Sequence, residues 1–108
     1  MTVFVYDKTF EGLLTAVFDA YSRRSFPDLL LAEGEPFPLF YDEAVTICTD
    51  DAKVDRVWKG LQKRLSATAL SVITVAWLSE LPEADMLLFR YICKAVSYTH
   101  LTLPTIRL

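Results

Sequence analysis

Three consecutive segments with helical periodicity dominate the second half of the chain and constrain its fold more than any other feature. From Asp51 to Leu65, apolar residues recur at three- and four-residue steps and basic residues occupy the other side, which predicts an amphipathic helix. The run from Ala67 to Leu81 is apolar nearly all round, which is typical of a helix buried on several sides. The segment from Pro82 to Lys94 opens with proline and acidic residues, which favour a first helical turn. Together they predict a mainly helical domain with more apolar helix surface than a small domain can cover.

The first half of the chain adds strands and one more helix. Thr2 to Tyr6 is a β-branched and aromatic run that predicts a strand. Thr9 is placed to cap a helix that should end near Pro27, and either Thr49 or Asp50 is placed to cap the Asp51 helix. The stretch from Asp28 to Pro38 contains a glycine and two prolines and is interpreted as a loop, and Glu43 to Cys48 as a second strand. The predicted class is therefore α+β, with two short N-terminal strands and about four helices, mainly helical and incomplete as a domain.

Composition limits the function classes. The chain has 108 residues, is 53% hydrophobic and 23% charged, and carries a formal net charge of −3, which describes a globular protein and argues against a generally basic nucleic-acid coat. Cys48 and Cys93 are isolated, so the sequence indicates neither a zinc site nor a disulfide framework, and both are expected to be buried thiols. No signal peptide and no membrane-spanning run is apparent, which predicts a cytoplasmic protein that does not contact a membrane. No metal site and no cofactor is indicated.

The last residues of the chain look foreign to the rest. Val96 to Thr105, VSYTHLTLPT, can be back-translated into a string that resembles the transposase mosaic end and read primer of tagmentation sequencing libraries. We therefore expect residues 96–108 to be translated adapter sequence and the biological chain to be a longer protein cut after Lys94 or Ala95. The alternative is a natural, strand-like tail with a functional His100. Resequencing the genomic locus separates the two, because the adapter hypothesis fails if the same codons continue into long flanking genomic sequence.

Without His100, the chain has no histidine for a Ser/His/Asp or Cys/His nucleophile system or for the usual zinc sets. Carboxylates are plentiful in two places, and paired carboxylates can do acid/base chemistry or bind a hard metal ion. Solvated loops and helix capping explain them as well, so the sequence identifies no catalytic residue. The two groups are Glu33, Glu35, Asp42 and Glu43, and Asp50, Asp51 and Asp55.

Basic residues offer the best local candidates for binding DNA. A row of cations on one helix face can follow a phosphate backbone, although on sequence alone a solvated helix face explains these residues better. The candidate phosphate contacts are Arg23, Arg24, Lys53, Arg56, Lys59, Lys63 and Arg64. An aromatic cluster at Phe37, Phe40 and Tyr41 is a candidate for stacking on a base or a partner, but such clusters more often hold a loop against the core.

Four segments in order carry a resemblance to a known family: MTVFVYDKTFEGLLTAVFDAY, FPDLLLAEGEPFPLFYDE, VWKGLQKRLS and WLSELPEADMLLFRYICKA. Together they resemble the start of a bacterial family assigned to DNA metabolism or DNA repair, whose core is a domain of unknown function. The likeness covers residues 1–95, and members of the family are considerably longer. In that family the gene usually neighbours one for a radical-SAM protein, and a similar domain occurs fused to a uracil-DNA-glycosylase-like domain.

The resemblance implies a nucleic-acid role in partnership, without establishing a reaction. We expect an accessory or DNA-binding component that acts with DNA and with a radical-SAM protein encoded nearby. The alternative is an enzyme acting on nucleic acid whose active site lies largely in the missing C-terminal region, using carboxylates such as Asp42 and Glu43. Whether the protein is itself an enzyme, and in what oligomeric state it works, are left open by the sequence.

Overall fold

The computed structural model describes residues 2–79 and 84–102, with side chains as far as residue 95. The chain divides into two compact units, Met1–Asp55 and Arg56–Leu108. Three strands and one helix belong to the first unit, two helices belong to the second, and a further helix crosses the division. The predicted class, mixed α+β and mainly helical, is confirmed. The elements are β1 (Thr2–Tyr6), α1 (Phe10–Arg23), β2 (Leu29–Ala32), β3 (Glu43–Thr46), α2 (Asp51–Arg64), α3 (Ala67–Leu78) and α4 (Ala84–Thr102).

The strands form a parallel sheet in the order β2-β1-β3. In this sheet, Val3 pairs with Leu29 on one side and with Ala44 on the other. Parallel sheets are normally covered on both faces, and accordingly every residue of β1 from Val3 to Tyr6 is buried. The strand at Leu29–Ala32 corrects the prediction of a loop from Asp28 to Pro38. These four residues do not alternate between apolar and polar side chains, so the sequence carries no clear strand signal. They form a strand because they pair with β1.

Local sequence signals explain where α1 begins and ends. The Thr9 hydroxyl accepts a hydrogen bond from the Gly12 amide at 2.9 Å, as predicted for an N-cap. At the other end, Arg24 adopts a left-handed conformation with φ 56°, and its amide donates to the Tyr21 carbonyl. The next amide, that of Ser25, donates to the Ala20 carbonyl, which completes a Schellman motif. The helix is therefore closed at both ends, with its apolar face buried at Leu13, Leu14 and Val17.

Helices α2 and α3 begin where their caps predict. Asp50 accepts hydrogen bonds from the amides of Ala52 and Lys53, and Ser66 accepts one from Ala69. On α2 the predicted apolar face is confirmed, with Val57 and Leu61 buried. Helix α3, which the sequence predicts as far as Leu81, ends at Leu78 in the structure. Residues 80–83, which include the predicted helix start at Pro82, lie outside the described range.

Helix α3 is less well covered than its composition predicts, and the backbone of α4 continues further than expected. Only Ile73 of α3 is buried, whereas Val72, Val75 and Leu78 are exposed. This agrees with the expected surplus of apolar helix surface. The backbone of α4 is helical as far as Thr102, so the idea of a strand-like tail from Val96 is wrong for the described part of that segment.

Candidate nucleic-acid interface

The outer face of α2 is the most concentrated basic surface in the described part of the chain. Arg56, Lys59 and Lys63 recur at three- and four-residue steps and are exposed, as is Arg64. Val57 and Leu61 lie on the other side of the helix and are buried. The buried pair fixes which way the helix faces, so the cations are held toward solvent. We call Arg56, Lys59, Lys63 and Arg64 the α2 basic face.

Acidic and basic residues are segregated along the sequence, and the α2 basic face lies in a segment without acidic residues. From Arg56 to Ser79 the chain carries these four cations and no acidic residue. By contrast, residues 25–52 contain seven carboxylates and no lysine, arginine or histidine. The net charge of −3 therefore conceals a strongly uneven distribution. Counting the charges in successive segments of the sequence reveals this segregation, which the overall composition does not show.

The structure places Lys53 differently from the rest of the candidate contacts. Its ammonium lies 2.7 Å from the Asp19 carboxylate, with 34% of the lysine side chain and 15% of the aspartate side chain exposed. The same ammonium lies 5.6 Å from the centre of the Phe18 ring. Lys53 thus joins α2 to α1 within the first unit, and Asp19 already neutralises part of its charge.

Arg23 and Arg24 lie at the end of α1, in the first unit, and both are exposed. Arg24 holds the left-handed position that glycine usually occupies at a helix C-terminus. A side chain with a Cβ costs about 1 kcal/mol there. The structure gives no stabilising contact that explains why arginine stands at this position.

The carboxyl edge of the sheet holds a polar cluster that the sequence reasoning missed. Asp7 follows β1 and accepts hydrogen bonds from the Thr9 amide at 3.1 Å and the Thr9 hydroxyl at 2.6 Å. Its other oxygen accepts one from the Thr49 hydroxyl at 2.8 Å, which joins the turn after β1 to the segment after β3. The hydroxyl of Thr9 is the main cause of the lowered pKa of Asp7; burial opposes it, and the Thr49 hydroxyl adds a smaller effect in the lowering direction. Asp7 is therefore a structural anion.

Two further contacts tie this edge together. Thr15 is fully buried in α1, and its hydroxyl accepts a hydrogen bond from the Asp50 amide at 3.3 Å while donating to the Glu11 carbonyl at 2.9 Å. Sequence reasoning could have found the cluster from one signal only, namely that Asp7 and Thr49 directly follow the strands predicted at Thr2–Tyr6 and Glu43–Cys48. That inference requires knowing that the strands are parallel neighbours.

The carboxylates proposed for chemistry occupy other positions. Asp42 and Glu43 are exposed at the amino end of β3, the edge opposite to Asp7. Glu35 accepts a hydrogen bond from the Ala32 amide at 2.6 Å, which closes the turn after β2, and Asp50 caps α2. Capping and turn closure therefore account for part of the acidic set. Within the described ranges, no three His, Cys, Asp or Glu side chains converge to hold a metal ion.

The two cysteines differ from each other. Cys93 is buried, as predicted, and burial raises the pKa of its thiol to about 12. Cys48 is exposed, which corrects the expectation that both thiols are buried. The reason is its position just after β3, an outer strand of the sheet, beside the buried Ile47.

The aromatic residues that the sequence offered for stacking lie at the protein surface. Phe37, Phe40 and Tyr41 lie in the connection between β2 and β3 and are exposed. The view that this cluster holds its loop against the core is therefore wrong for these side chains.

Comparisons of the chain with family models, with curated proteins and with solved structures found no match. No helix in the described ranges is both long and apolar enough to cross a membrane.

Proposed function

We propose that this chain is a DNA-binding component of a DNA metabolism or repair system and that the α2 basic face contacts the phosphate backbone. The observation that carries the proposal is the orientation of α2. The buried Val57 and Leu61 hold Arg56, Lys59 and Lys63 outward, Arg64 is exposed at the end of the helix, and the chain has no acidic residue from Arg56 to Ser79. The family resemblance supports the same role from an independent direction.

The spacing of the face suits a phosphate backbone. From Arg56 to Lys63 the helix rises about 10 Å, which corresponds to about three phosphates along one strand of duplex DNA. Flexible cations at such spacing release condensed counterions and give affinity that carries no sequence information. We therefore propose binding that is salt-dependent and largely independent of sequence. Arg23 and Arg24, in the first unit, are separate candidates for phosphate contact, and Lys53 would first have to leave its ion pair with Asp19.

The proposed role is accessory. The family resemblance supports a radical-SAM protein, encoded nearby, as the partner that would perform the chemistry. A component that holds DNA without reading bases suits such a division of labour, because the partner can then supply the lesion specificity. Cytoplasmic location is part of the same proposal.

A second candidate function, an enzyme acting on nucleic acid, is favoured by one observation. Asp7 and Thr49 meet at the carboxyl edge of a parallel sheet, where α/β enzymes place their sites. The candidate is tested by incubating the chain with a defined DNA duplex and analysing the products by mass spectrometry. Product that forms with the unmodified chain and not with a folded Asp7→Asn variant would favour the enzyme over the accessory component.

The phosphate contact is tested with a charge-reversal pair and a matched control. Lys59→Glu with Lys63→Glu changes two exposed cations four residues apart on α2. Arg90→Glu with Lys94→Glu makes the same change in net charge, at the same spacing, on two exposed residues of α4. Binding to a fluorescent duplex is measured by anisotropy at several salt concentrations, and circular dichroism checks the fold of each variant.

We expect the α2 pair to weaken binding by at least tenfold at low salt. The slope of log affinity against log salt should become shallower by about two, because two phosphate contacts are lost. The α4 pair should leave the slope unchanged. Equal loss in both variants would show that binding follows net charge only, and unchanged binding in a folded α2 variant would remove this helix from the interface.

A further inference from the structure

The connection between β2 and β3 carries an apolar tip at the protein surface. Leu39 is 87% exposed and Phe40 is 81% exposed, and Phe37 and Tyr41 are each about half exposed. A monomeric soluble protein seldom groups large apolar side chains in this way unless the group contacts something else. We call residues 36–42 the aromatic loop.

The aromatic loop is held in shape before any partner arrives. The rings of Phe37 and Tyr41 lie 5.2 Å apart at 48° to each other. Pro36 and Pro38 restrict the backbone on both sides of Phe37. A concave surface is formed by Leu39, Phe40, Tyr41 and Asp42. A preformed apolar surface loses little conformational entropy on binding, so the area that it buries is better converted into affinity.

Both ends of the aromatic loop are anchored to the sheet. At the start, Glu35 exchanges two hydrogen bonds with Ala32, the last residue of β2, through its amide and its carboxylate. At the end, Glu43 pairs with Thr2 of β1 as the first residue of β3. The tip is therefore displayed on a rigid base.

Charge decides what class of partner this surface suits. Exposed carboxylates stand on both sides of the aromatic loop in the chain: Glu33 and Glu35 before it, and Asp42 and Glu43 at its end. No lysine, arginine or histidine occurs between residues 25 and 52 to offset Glu33, Glu35 and Glu43, whereas a hydrogen bond from the N-terminal ammonium lowers the pKa of Asp42. Nucleic-acid phosphates would meet like charges here, which disfavours stacking on bases. A partner with positive charges around an apolar centre would meet opposite charges.

We propose that the aromatic loop docks a partner protein through a segment whose apolar side chains are flanked by lysine or arginine. The apolar centre of that segment contacts Leu39, Phe40 and Tyr41, and its flanking cations face the surrounding carboxylates. Apolar anchors surrounded by charged groups are the usual division of labour in protein interfaces, where the centre supplies affinity and the rim supplies selectivity. This inference does not rest on the DNA contact proposed for α2, which lies on another surface element.

The proposal is tested with three fluorescein-labelled synthetic peptides and the purified chain. The first peptide has Leu-Trp-Leu between pairs of lysines. The second has glutamates in place of the lysines, and the third has serines in place of the apolar residues. Anisotropy gives the affinities, and amide chemical shifts show which residues of the chain respond. We expect the lysine-flanked peptide to bind at least tenfold more tightly than either of the others, with amide shifts at residues 37 and 39–42, which are the residues of the loop other than proline.

Three variants separate the apolar contact from the charge effect. Phe40→Ser should weaken the first peptide by about tenfold, as loss of a central interface aromatic does. Leu78→Ser removes another exposed apolar side chain, from α3, and should leave the affinity for the first peptide unchanged. Asp42→Asn with Glu43→Gln should reduce the preference for lysine over glutamate while leaving the apolar contact. Each variant changes exposed side chains, so the fold should be retained, and circular dichroism checks it.

Several results would overturn the proposal. Equal binding of the lysine- and glutamate-flanked peptides would remove the charge complementarity. Binding unaffected by Phe40→Ser would remove the aromatic loop. A thymidine oligonucleotide that shifts the amides of residues 37 and 39–42, and loses binding with Phe40→Ser but not with the α2 charge reversals, would show that the loop stacks on bases. A dimer detected by sedimentation equilibrium and dissociated by Phe40→Ser would show that the occupant is a second copy.

Discussion

Gly12 lies so close to the Asp7 carboxylate that any side chain at position 12 would collide with it. A Cβ built on Gly12 would meet the Asp7 Oδ1 atom first, with the Thr9 hydroxyl at 3.1 Å and the Tyr6 ring at 3.2 Å. The carboxylate cannot simply move aside, because Thr9 and Thr49 hold it with hydrogen bonds. The first turn of α1 therefore requires glycine because any Cβ would collide with the Asp7 carboxylate, and not because of the backbone conformation at this position.

Gly12→Ala should lower the free energy of unfolding by about 1–2 kcal/mol, although alanine is the better helix former. The loss should shrink by about 1 kcal/mol or more when Asp7→Ala is present, because the obstructing carboxylate is gone. Urea denaturation of the four proteins in this double-mutant cycle measures the coupling. Gly60→Ala is the control, since nothing lies within 4 Å of a Cβ there, and it should stabilise the chain by about 1 kcal/mol. Additive effects of the Gly12 and Asp7 changes would contradict the contact.

Asp7 should make the stability of the chain depend on pH. The Thr9 hydroxyl lowers the pKa of Asp7 in the folded protein. A carboxyl group whose folded pKa is depressed stabilises the fold above its unfolded pKa of about 4 and loses that contribution as pH falls through the folded value. Because Asp7 is exposed and solvent screens its charge, Asp7→Asn should destabilise the chain by about 0.5 kcal/mol at pH 7 and by less at pH 3.

Urea denaturation of the unmodified chain and of Asp7→Asn at pH 7 and at pH 3 checks the direction of this pH dependence. Thr49→Ala removes one of the hydrogen bonds to the carboxylate and should give a smaller effect with the same pH trend. A difference between the unmodified chain and Asp7→Asn that grows as pH falls would contradict the assignment.

Substitution of Arg24 by glycine should change the stability of the chain and its affinity for DNA in opposite directions. Because Arg24 occupies a left-handed conformation with φ 56°, Arg24→Gly should stabilise the chain by about 1 kcal/mol. If Arg24 contacts phosphate, the same variant should bind duplex DNA more weakly despite being more stable. Arg23→Gly is the control, because Arg23 is helical and glycine should destabilise there. Thermal melting and anisotropy report the two quantities separately, and stabilisation with unchanged DNA binding would remove Arg24 from the interface.

The exposed apolar surface of α3 should make this chain self-associate. Val75 and Leu78 are 66% and 69% exposed, and Val72 is similarly open to solvent. Val75→Glu with Leu78→Glu should raise the solubility limit and reduce concentration-dependent sedimentation. Ser71→Glu adds a charge at an exposed site of the same helix that is not apolar, and should help less. Equal improvement from both changes would mean that charge alone limits solubility.

The helices could be predicted because their signals are local. In α1, α2 and α3 the caps lie within three residues of the amides that they accept from, and the apolar positions recur within a single segment. The outward basic face of α2 follows directly from the same periodicity. The exposed aromatic loop could not be foreseen, since whether an apolar side chain meets the core depends on where the rest of the chain lies.

The sequence by itself determined the helical segments, their caps, the mixed α+β class and the cations on α2, because each depends on residues a few positions apart. Only the tertiary structure decided that Leu29–Ala32 is a strand, that all three strands run parallel, and that Asp7 meets Thr49 across 42 residues. It also decided that Cys48 and the aromatic loop face solvent while Lys53 pairs with Asp19. The physical reason is the same in each case. Strand pairing and burial are contacts between segments distant in the chain, and no local pattern specifies the partner.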